Sequence, residues 1–483
     1  MRPPCLLFLL VLLLGSSAPL LRLSAADDFK PEGFGASSQG GVGGKVLMVS
    51  RLDDNPKKPA PGSLRWALRQ KGPRVVKFSV SGTIALQDRI EIKEPFLTID
   101  GSDAPGAGIC IRGGSLEFKR THDIIVRHIR VRLGDETTLR KVKATKRDRP
   151  PNSDGLDCIG LTDCRRVLFD HCSVSWSCDE LFGITRCQDV TIQWCILGEP
   201  LSNPRLHPYG DHHAFVLNCS ASTLSLHHCL LARFVMRGPQ FECNDMTPKS
   251  KYTVRMEAVN NVIFDYERSG SRYSTGVEEK NGTGKGKVFR FQFLNNLYIT
   301  SSPKAVEIEP IEKHGHGADV RTAVQGNKVI AKPVMKLLGA SSSPARPPLL
   351  DHKGLPRPRP DTAKAMKSVE LPPIGTGYWA AALATARPVM WAGGKTPDEV
   401  VGERLFSAPV PVTLESVETA AHRVLAEAGN RGPLDAVDAR LIMDVTMLRF
   451  GSPLTSQKDV GGWPDLGGKG VPRLGVMMPV PQN

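Results

Sequence analysis

The sequence predicts an all-β protein whose short strands wind into a parallel β-helix, a solenoid with a short N-terminal capping helix and a small C-terminal helical tail. Strand-length apolar runs at 167–174 (VLFDHCSV), 190–197 (VTIQWCIL) and 224–231 (LSLHHCLL) repeat one design, with a cysteine in the same place. Aligning them extends one column backward and forward, so that it reads Ile129, Cys172, Cys195, Cys229, Asn261, Asn296. The steps along that column, 43, 23, 34, 32 and 35 residues, suit coils joined by loops of varying length. A solenoid stacks like on like: thiols fill the interior as small apolar groups, and amides hydrogen-bond to one another along the axis.

The elements follow in chain order. Arg2, an apolar run over 6–14 and the small residues Ser24, Ala25 and Ala26 read as a signal peptide over 1–26. The run is well short of the roughly 20 residues a spanning helix needs, so export without stable membrane insertion is expected, to the periplasm or the extracellular space. The β-helix is expected over 30–332. Within it, residues 63–69 read as a short helix capping the open end of the solenoid, and 75–84 and 97–101 as early coils closed by glycine turns. Residues 333–370, rich in Pro, Ser and basic side chains, read as a linker or wrapping loop. Over 371–483 a helical extension is expected to pack on the β-helix. In it Leu414, Val417, Ala421, Val424, Leu425 and Ala428 keep helical spacing up to Gly429, and a second helix follows Pro433 with Leu434, Val437, Leu441, Val445 and Leu448 on one face.

Lys and Arg number 63 against 49 Asp and Glu, a formal charge of +14 that becomes +12 when Arg2 and Arg22 leave with the leader. A basic exported protein suits an anionic polymer, because a positive field speeds encounter with negative ligands; a solvated basic surface is the plainer alternative. No nucleic-acid module is recognisable and aromatic residues are not interleaved with the basic clusters, so nucleic acid is not an expected partner. A monomer is expected. Ten cysteines follow the leader, eight of them between Cys158 and Cys229. Their even number is compatible with disulfides, while their column position favours stacked thiols, and both readings stand. There is no CxxC pair, and no G-x-S-x-G, Walker or Rossmann signature supports serine hydrolysis or nucleotide chemistry.

Several blocks recur in a fixed order: 32–36 (EGFGA) with 40–44 (GGVGG), 61–65 (PGSLR), 79–84 (SVSGTI), 170–176 (DHCSVSW) with Asp179-Glu180, His227-His228, 435–440 (DAVDAR) and 459–464 (DVGGWP). Together they resemble the pectate lyase family, in particular its secreted bacterial branch. The resemblance implies a right-handed parallel β-helix and β-elimination on a uronate chain such as polygalacturonate, in which a base removes the C5 proton and the bond to the C4 oxygen breaks. It implies a calcium ion, with Asp157 and Asp179 at carboxylate ligand positions and Glu180 beside them. The base it implies is Arg237, which is normally protonated and needs neighbouring cations or alkaline medium to act. His207, His212 and His213 fall in a cleft-facing segment, and His212, His213 and Gln240 are the expected substrate contacts.

Plainer roles compete. Asp157 could cap a turn, Asp179 and Glu180 could be surface charges at a strand start, Arg237 could form a structural ion pair, and the loop histidines could be incidental. Asp170, His171, His227 and His228 lie in the strand register beside the cysteine column and read as stacked structural polar groups. The chain also departs from the pattern. Gly183 stands where calcium-binding relatives carry a further Asp, a loss for which Asp154 could substitute, and Gln240 stands where a basic residue grips the substrate carboxylate. These departures keep two alternatives open: a glycoside hydrolase using two of Asp154, Asp157 and Asp179 at about 5–10 Å, or a catalytically altered β-helix that binds acidic polysaccharide.

Overall fold

The computed structural model describes residues 29–151, 156–210, 214–243, 252–275, 286–311, 318–331, 378–389, 399–430 and 432–466. Asp154, His212, His213, the whole of the expected leader and the expected linker lie outside the described residues. The chain divides into residues 1–30 and 31–483, and the second unit holds the fold.

Nearly every strand pairs in parallel with the strand one coil away, giving three walls of a parallel β-helix with the right-handed crossover such connections take. The first wall runs from Lys45–Val49 through Arg74–Phe78, Leu97–Asp100, His122–Arg127 and Arg165–Asp170 to Lys287–Leu294 and Asp319–Gln325. The second runs from Gly82–Ala85 to Lys328–Ala331, and the third from Ile90–Ile92 to Val306–Pro310. The strand Glu180–Gln193 serves two walls: its first half joins the third, its second half the first, with a register shift between Thr185 and Cys187.

The predicted column lies inside the coil and forms one continuous ladder. Cys172 N donates to Cys195 Sγ and Cys195 N to Cys229 Sγ, each at 3.4 Å. Cys229 N then donates to Asn261 Oδ1 at 2.9 Å, Asn261 N to Asn296 Oδ1 at 3.0 Å, and Asn296 N to Asn327 Oδ1 at 2.9 Å. Sulfur and amide oxygen accept from the same backbone position, which is why the column changes residue type without breaking. No disulfide joins the ten described cysteines, all of which are buried; the disulfide reading is therefore set aside in favour of stacked thiols.

The solenoid starts later than residue 30. Its first strand is Lys45–Val49, and the glycine-rich residues before it lie across the outside of the first wall. There Gly35 N donates to Thr191 Oγ1 (2.8 Å), Phe34 N to Ser225 Oγ (3.2 Å) and Gly41 N to Thr98 Oγ1 (2.9 Å). Glycine is needed for that approach: at Gly33, with φ 84°, a Cβ would lie 2.5 Å from Thr191 Oγ1. At the other end Glu399–Val401 adds to the first wall beyond residue 332. The short helix Leu64–Leu68 starts at Ser63, whose side chain accepts from Trp66 N, and buries Leu64, Ala67 and Leu68.

The helices Val417–Glu427 and Ala436–Thr446 bury apolar faces in the same core as the coils. The second is anchored to the second wall by charge. Arg132 bonds to Asp435 and, at 2.8 Å, to Asp438, while Arg130 Nε lies 3.1 Å from Asp435 Oδ2; all four side chains are buried. Farther along, Glu199 receives both terminal nitrogens of Arg440 at 2.6 Å and one of Arg233 at 3.2 Å. Removing one member of such a group would strand a buried charge.

Candidate functional site

The alternation of a strand sends one residue in two outward, and on the third wall the outward positions align into a polar row. In register it reads Glu91, Glu117, Gly160, Gly183, Asn218, Gln240, Arg272 and Glu309. Two glycines interrupt it, and each lies under a carboxylate, Gly160 under its row neighbour Glu117 and Gly183 under Asp157 from outside the row. A Cβ on Gly160 would meet Glu117 Oε2 at 2.4 Å, and one on Gly183 would meet Asp157 Oδ2 at 2.0 Å. The space a side chain at 183 would occupy is thus filled by Asp157, so Gly183 makes room for an acid instead of merely omitting one.

Asp157, Asp179 and Glu180 each offer a ligand oxygen within 4.8 Å of the others. Asp157 precedes the strand Ile159–Thr162, and its Oδ1 accepts from Glu180 N at 3.0 Å. Asp179 is held by His207 Nε2, 3.2 Å from its Oδ2. Glu180 is buried, and its Oε1 accepts from Arg237 Nη1 at 2.5 Å. Burial first, then the charges of Asp179 and Glu117, push the Asp157 carboxyl well above its ordinary range. Burial and the charges of Asp179 and Asp157 do the same to Glu180, against the opposing pull of Arg237. Three carboxylates crowded in this way form a set of hard oxygen donors suited to a divalent cation such as calcium.

Arg237 lies next to Met236, which bridges to Phe215, the residue opposite Glu180 in the neighbouring coil. Its guanidinium stands 4.0 Å over the Phe215 ring, and its Nε is buried without a hydrogen-bond partner. Both readings of this arginine meet here: it forms an ion pair, and it does so inside the acidic cluster. Gln240 is placed differently from its expected role. It is 4% exposed, its Nε2 donates to Glu242 Oε2 at 2.7 Å, and its Oε1 accepts from Arg272 Nη1 at 3.2 Å. Its amide is thereby committed to the sheet, and the cation in this row is Arg272, itself paired with Glu309 at 2.9 Å.

Glu117, Phe215 and Arg272 were not singled out by the sequence; the signal for Glu117 was its outward place in Leu116–Lys119, one coil before Gly160. Of the histidines set aside as structural, His171 and His228 join His128 and Trp194 in a stack, and His227 meets His228 edge-on. His128 and His171 stack at 5.3 Å, His171 and Trp194 at 6.0 Å, and Trp194 and His228 at 4.2 Å. Although His128, Asp170 and His171 could also hold a metal by distance, Arg127 lies 3.1 Å from His128 Nε2 and 3.8 Å from Asp170 Oδ2, a cation already in place. Burial and the neighbouring His228 push His227 well below the ordinary histidine range.

Over 171 residues the chain is 41% identical to a probable pectate lyase C of Aspergillus flavus, a stretch covering 35% of this chain and 36% of that protein. It is 36% identical over 202 residues to a probable pectate lyase C of Emericella nidulans, 42% of each, and 29% identical over 167 residues to a putative pectate lyase 2 of Arabidopsis thaliana, 32% of this chain and 38% of that one. The matched stretch therefore spans about two-fifths or less of these relatives. Along it, the chain is similar to proteins named probable or putative pectate lyases. No protein-family model matches the chain. Among solved structures, the thermostable pectate lyase PL 47 is 12% identical and aligns with 83% of this chain and 97% of its own at a TM-score of 0.48.

Proposed function

We propose that this protein is a secreted polysaccharide lyase that cleaves pectate by β-elimination, with Arg237 as the base and Asp157, Asp179 and Glu180 as ligands for calcium. The observation that carries the proposal is the meeting of Arg237 with Glu180, 2.5 Å apart, inside a cluster of carboxylates on the outer face of a β-helix wall. The all-oxygen donor set and the raised Asp157 and Glu180 carboxyls fit a divalent ion. Bound there, calcium would supply counter-charge for the negative charge that develops on the uronate carboxylate.

The chain's own groups divide the remaining work. His207 holds Asp179, and Glu180 N holds Asp157, so two of the carboxylates are fixed before substrate arrives. Arg237 takes the C5 proton only after it has lost a proton of its own to alkaline medium and has stopped donating to Glu180, whose charge otherwise favours the protonated guanidinium. The Phe215 ring packs against the guanidinium and helps to keep it in place. The electron pair left at C5 forms the C4–C5 double bond and the C4 oxygen departs with the leaving chain.

The test is ultraviolet absorbance of the unsaturated product when purified protein meets polygalacturonate in alkaline buffer, with calcium and with chelator. A rise that chelator abolishes and Arg237→Ala lowers by about 10²–10⁴-fold is expected. New reducing ends without that absorbance would replace elimination by hydrolysis. Affinity for the polymer with neither product would leave a binding protein.

A further inference from the structure

A second concave site lies beside the carboxylate cluster, on the loop that carries His207. Arg147, Arg149 and Arg205 line a cavity of about 460 Å³ together with Asp148, Pro204 and Gly210, a volume in the range of small-ligand pockets. Arg147 and Arg149 follow the helix Glu136–Ala144, and Arg205 belongs to the separate stretch 203–210. Among the described residues none of these three guanidinium groups is ion-paired.

The three guanidinium groups are exposed and Asp148 stands among them, so they are held in water and open to a negatively charged ligand. Their positions are set by the backbone. Arg149 Nη1 lies 3.5 Å from Pro208 O, and Gly210, with φ 74°, leaves the space in which that guanidinium lies; a Cβ there would be 2.4 Å from Arg149 Nη1. The planar fork of arginine matches a carboxylate through two parallel hydrogen bonds.

The same loop sets the ligand class. His207 bonds to Asp179, and only Leu206 separates it from Arg205, a span of at most ~7 Å of chain. Tyr209, 65% exposed, leans on the His207 ring at 5.1 Å and offers an apolar face at the rim. A carboxylate cluster, an exposed aromatic ring and an arginine pocket met along one loop have the features of a site for a polymer that is both sugar and acid. We infer that the Arg147–Arg149–Arg205 pocket is a remote subsite that binds the carboxylate of a uronate residue several sugars away from the bond being cut. This rests on the lyase reading for the identity of the polymer.

The test uses the full chain and measures binding separately from turnover. Calorimetric titration with trigalacturonate and hexagalacturonate is compared for the parent, Arg149→Ala/Arg205→Ala, Arg149→Lys/Arg205→Lys and, for equal loss of charge elsewhere, Lys57→Ala/Lys58→Ala. Hexagalacturonate affinity is expected to fall about 10-fold or more in the double alanine variant, the effect of losing charge-assisted bonds, and to recover partly with lysine. Trigalacturonate affinity should fall less, and the Lys57/Lys58 variant should match the parent. Equal hexagalacturonate affinity in the Arg149/Arg205 and Lys57/Lys58 variants overturns the subsite. Inorganic phosphate competing as well as hexagalacturonate overturns the uronate assignment. Parent protein that binds hexagalacturonate through these arginines yet makes no unsaturated product sinks the lyase reading and supports the pocket.

Discussion

Replacing Gly183 with alanine puts a methyl group where the Asp157 carboxylate lies, 2.0 Å from Oδ2 and 3.0 Å from Cγ. Neither atom can stay. Moving the Asp157 side chain breaks the bond it accepts from Glu180 N at 3.0 Å and leaves a buried donor unsatisfied, at ~1–3 kcal/mol. Against this, alanine in a strand gains ~0.5–1 kcal/mol over glycine, leaving a net loss of at most ~2.5 kcal/mol. The effect on calcium should be larger, because a displaced ligand matters at least as much as a disturbed outer-shell partner, which lowers metal affinity about 10- to 100-fold. Urea unfolding and calorimetric calcium titration measure the two quantities. Gly160→Ala is the internal comparison: its Cβ meets only the Glu117 head group, 2.4 Å from Oε2, on a longer side chain with more freedom to turn aside. Calcium affinity unchanged by Gly183→Ala would refute the assignment of Asp157 as a ligand.

Three other expectations follow from the same structure. Because burial and neighbouring carboxylates raise Asp157 and Glu180 in the fold, the folded state holds more protons than the unfolded one above about pH 4; stability in chelator should then fall as pH rises, and calcium should remove the fall in urea midpoints. Glu199 gives the opposite slope: burial raises it, but Arg440 and Arg233 overcome that and hold it at about 2, so its stabilisation is present above the ordinary carboxylate range and disappears as pH falls toward 2, a loss that Glu199→Gln should largely abolish. Asn261→Ala orphans Cys229 N and Leu226 O inside the coil, at ~1–3 kcal/mol for each unsatisfied group, and should lower the urea midpoint more than Asn55→Ala on the exposed surface.

The coils were legible because repetition writes the same column several times. Cys172, Cys195, Cys229, Asn261 and Asn296 could be aligned by residue type alone, and the ladder simply continues to Asn327. The start of the solenoid was misplaced because residues 33–41 have the glycine content of a coil turn, while their actual need for glycine is close contact with Thr191 and Ser225 from outside. At the site, Asp157, Asp179, Glu180 and Arg237 came from motif order, but Glu117 and Arg272 belong to it through register across coils, which no local pattern carries. Gly183 was read as a missing acid because a sequence shows what stands at a position and not what leans over it. The tail helices were visible from their apolar spacing, whereas Arg130 and Arg132, some 300 residues earlier, carry no mark that they await Asp435 and Asp438.

A stack of coils is close to a one-dimensional chain in which each unit knows only its neighbours, so damage at one end need not be felt at the other. The tail alters that arithmetic. Asp435 and Asp438 tie an early coil to the last hundred residues, and Glu199, Arg233 and Arg440 tie a middle one. A zipper buckled across its own teeth cannot open tooth by tooth. The acidic cluster lies on a coil between these two fastenings, so local fraying that a bare solenoid permits would there require breaking the buried ion pairs first, and native-state hydrogen exchange at 180–193 should report the stability of the whole.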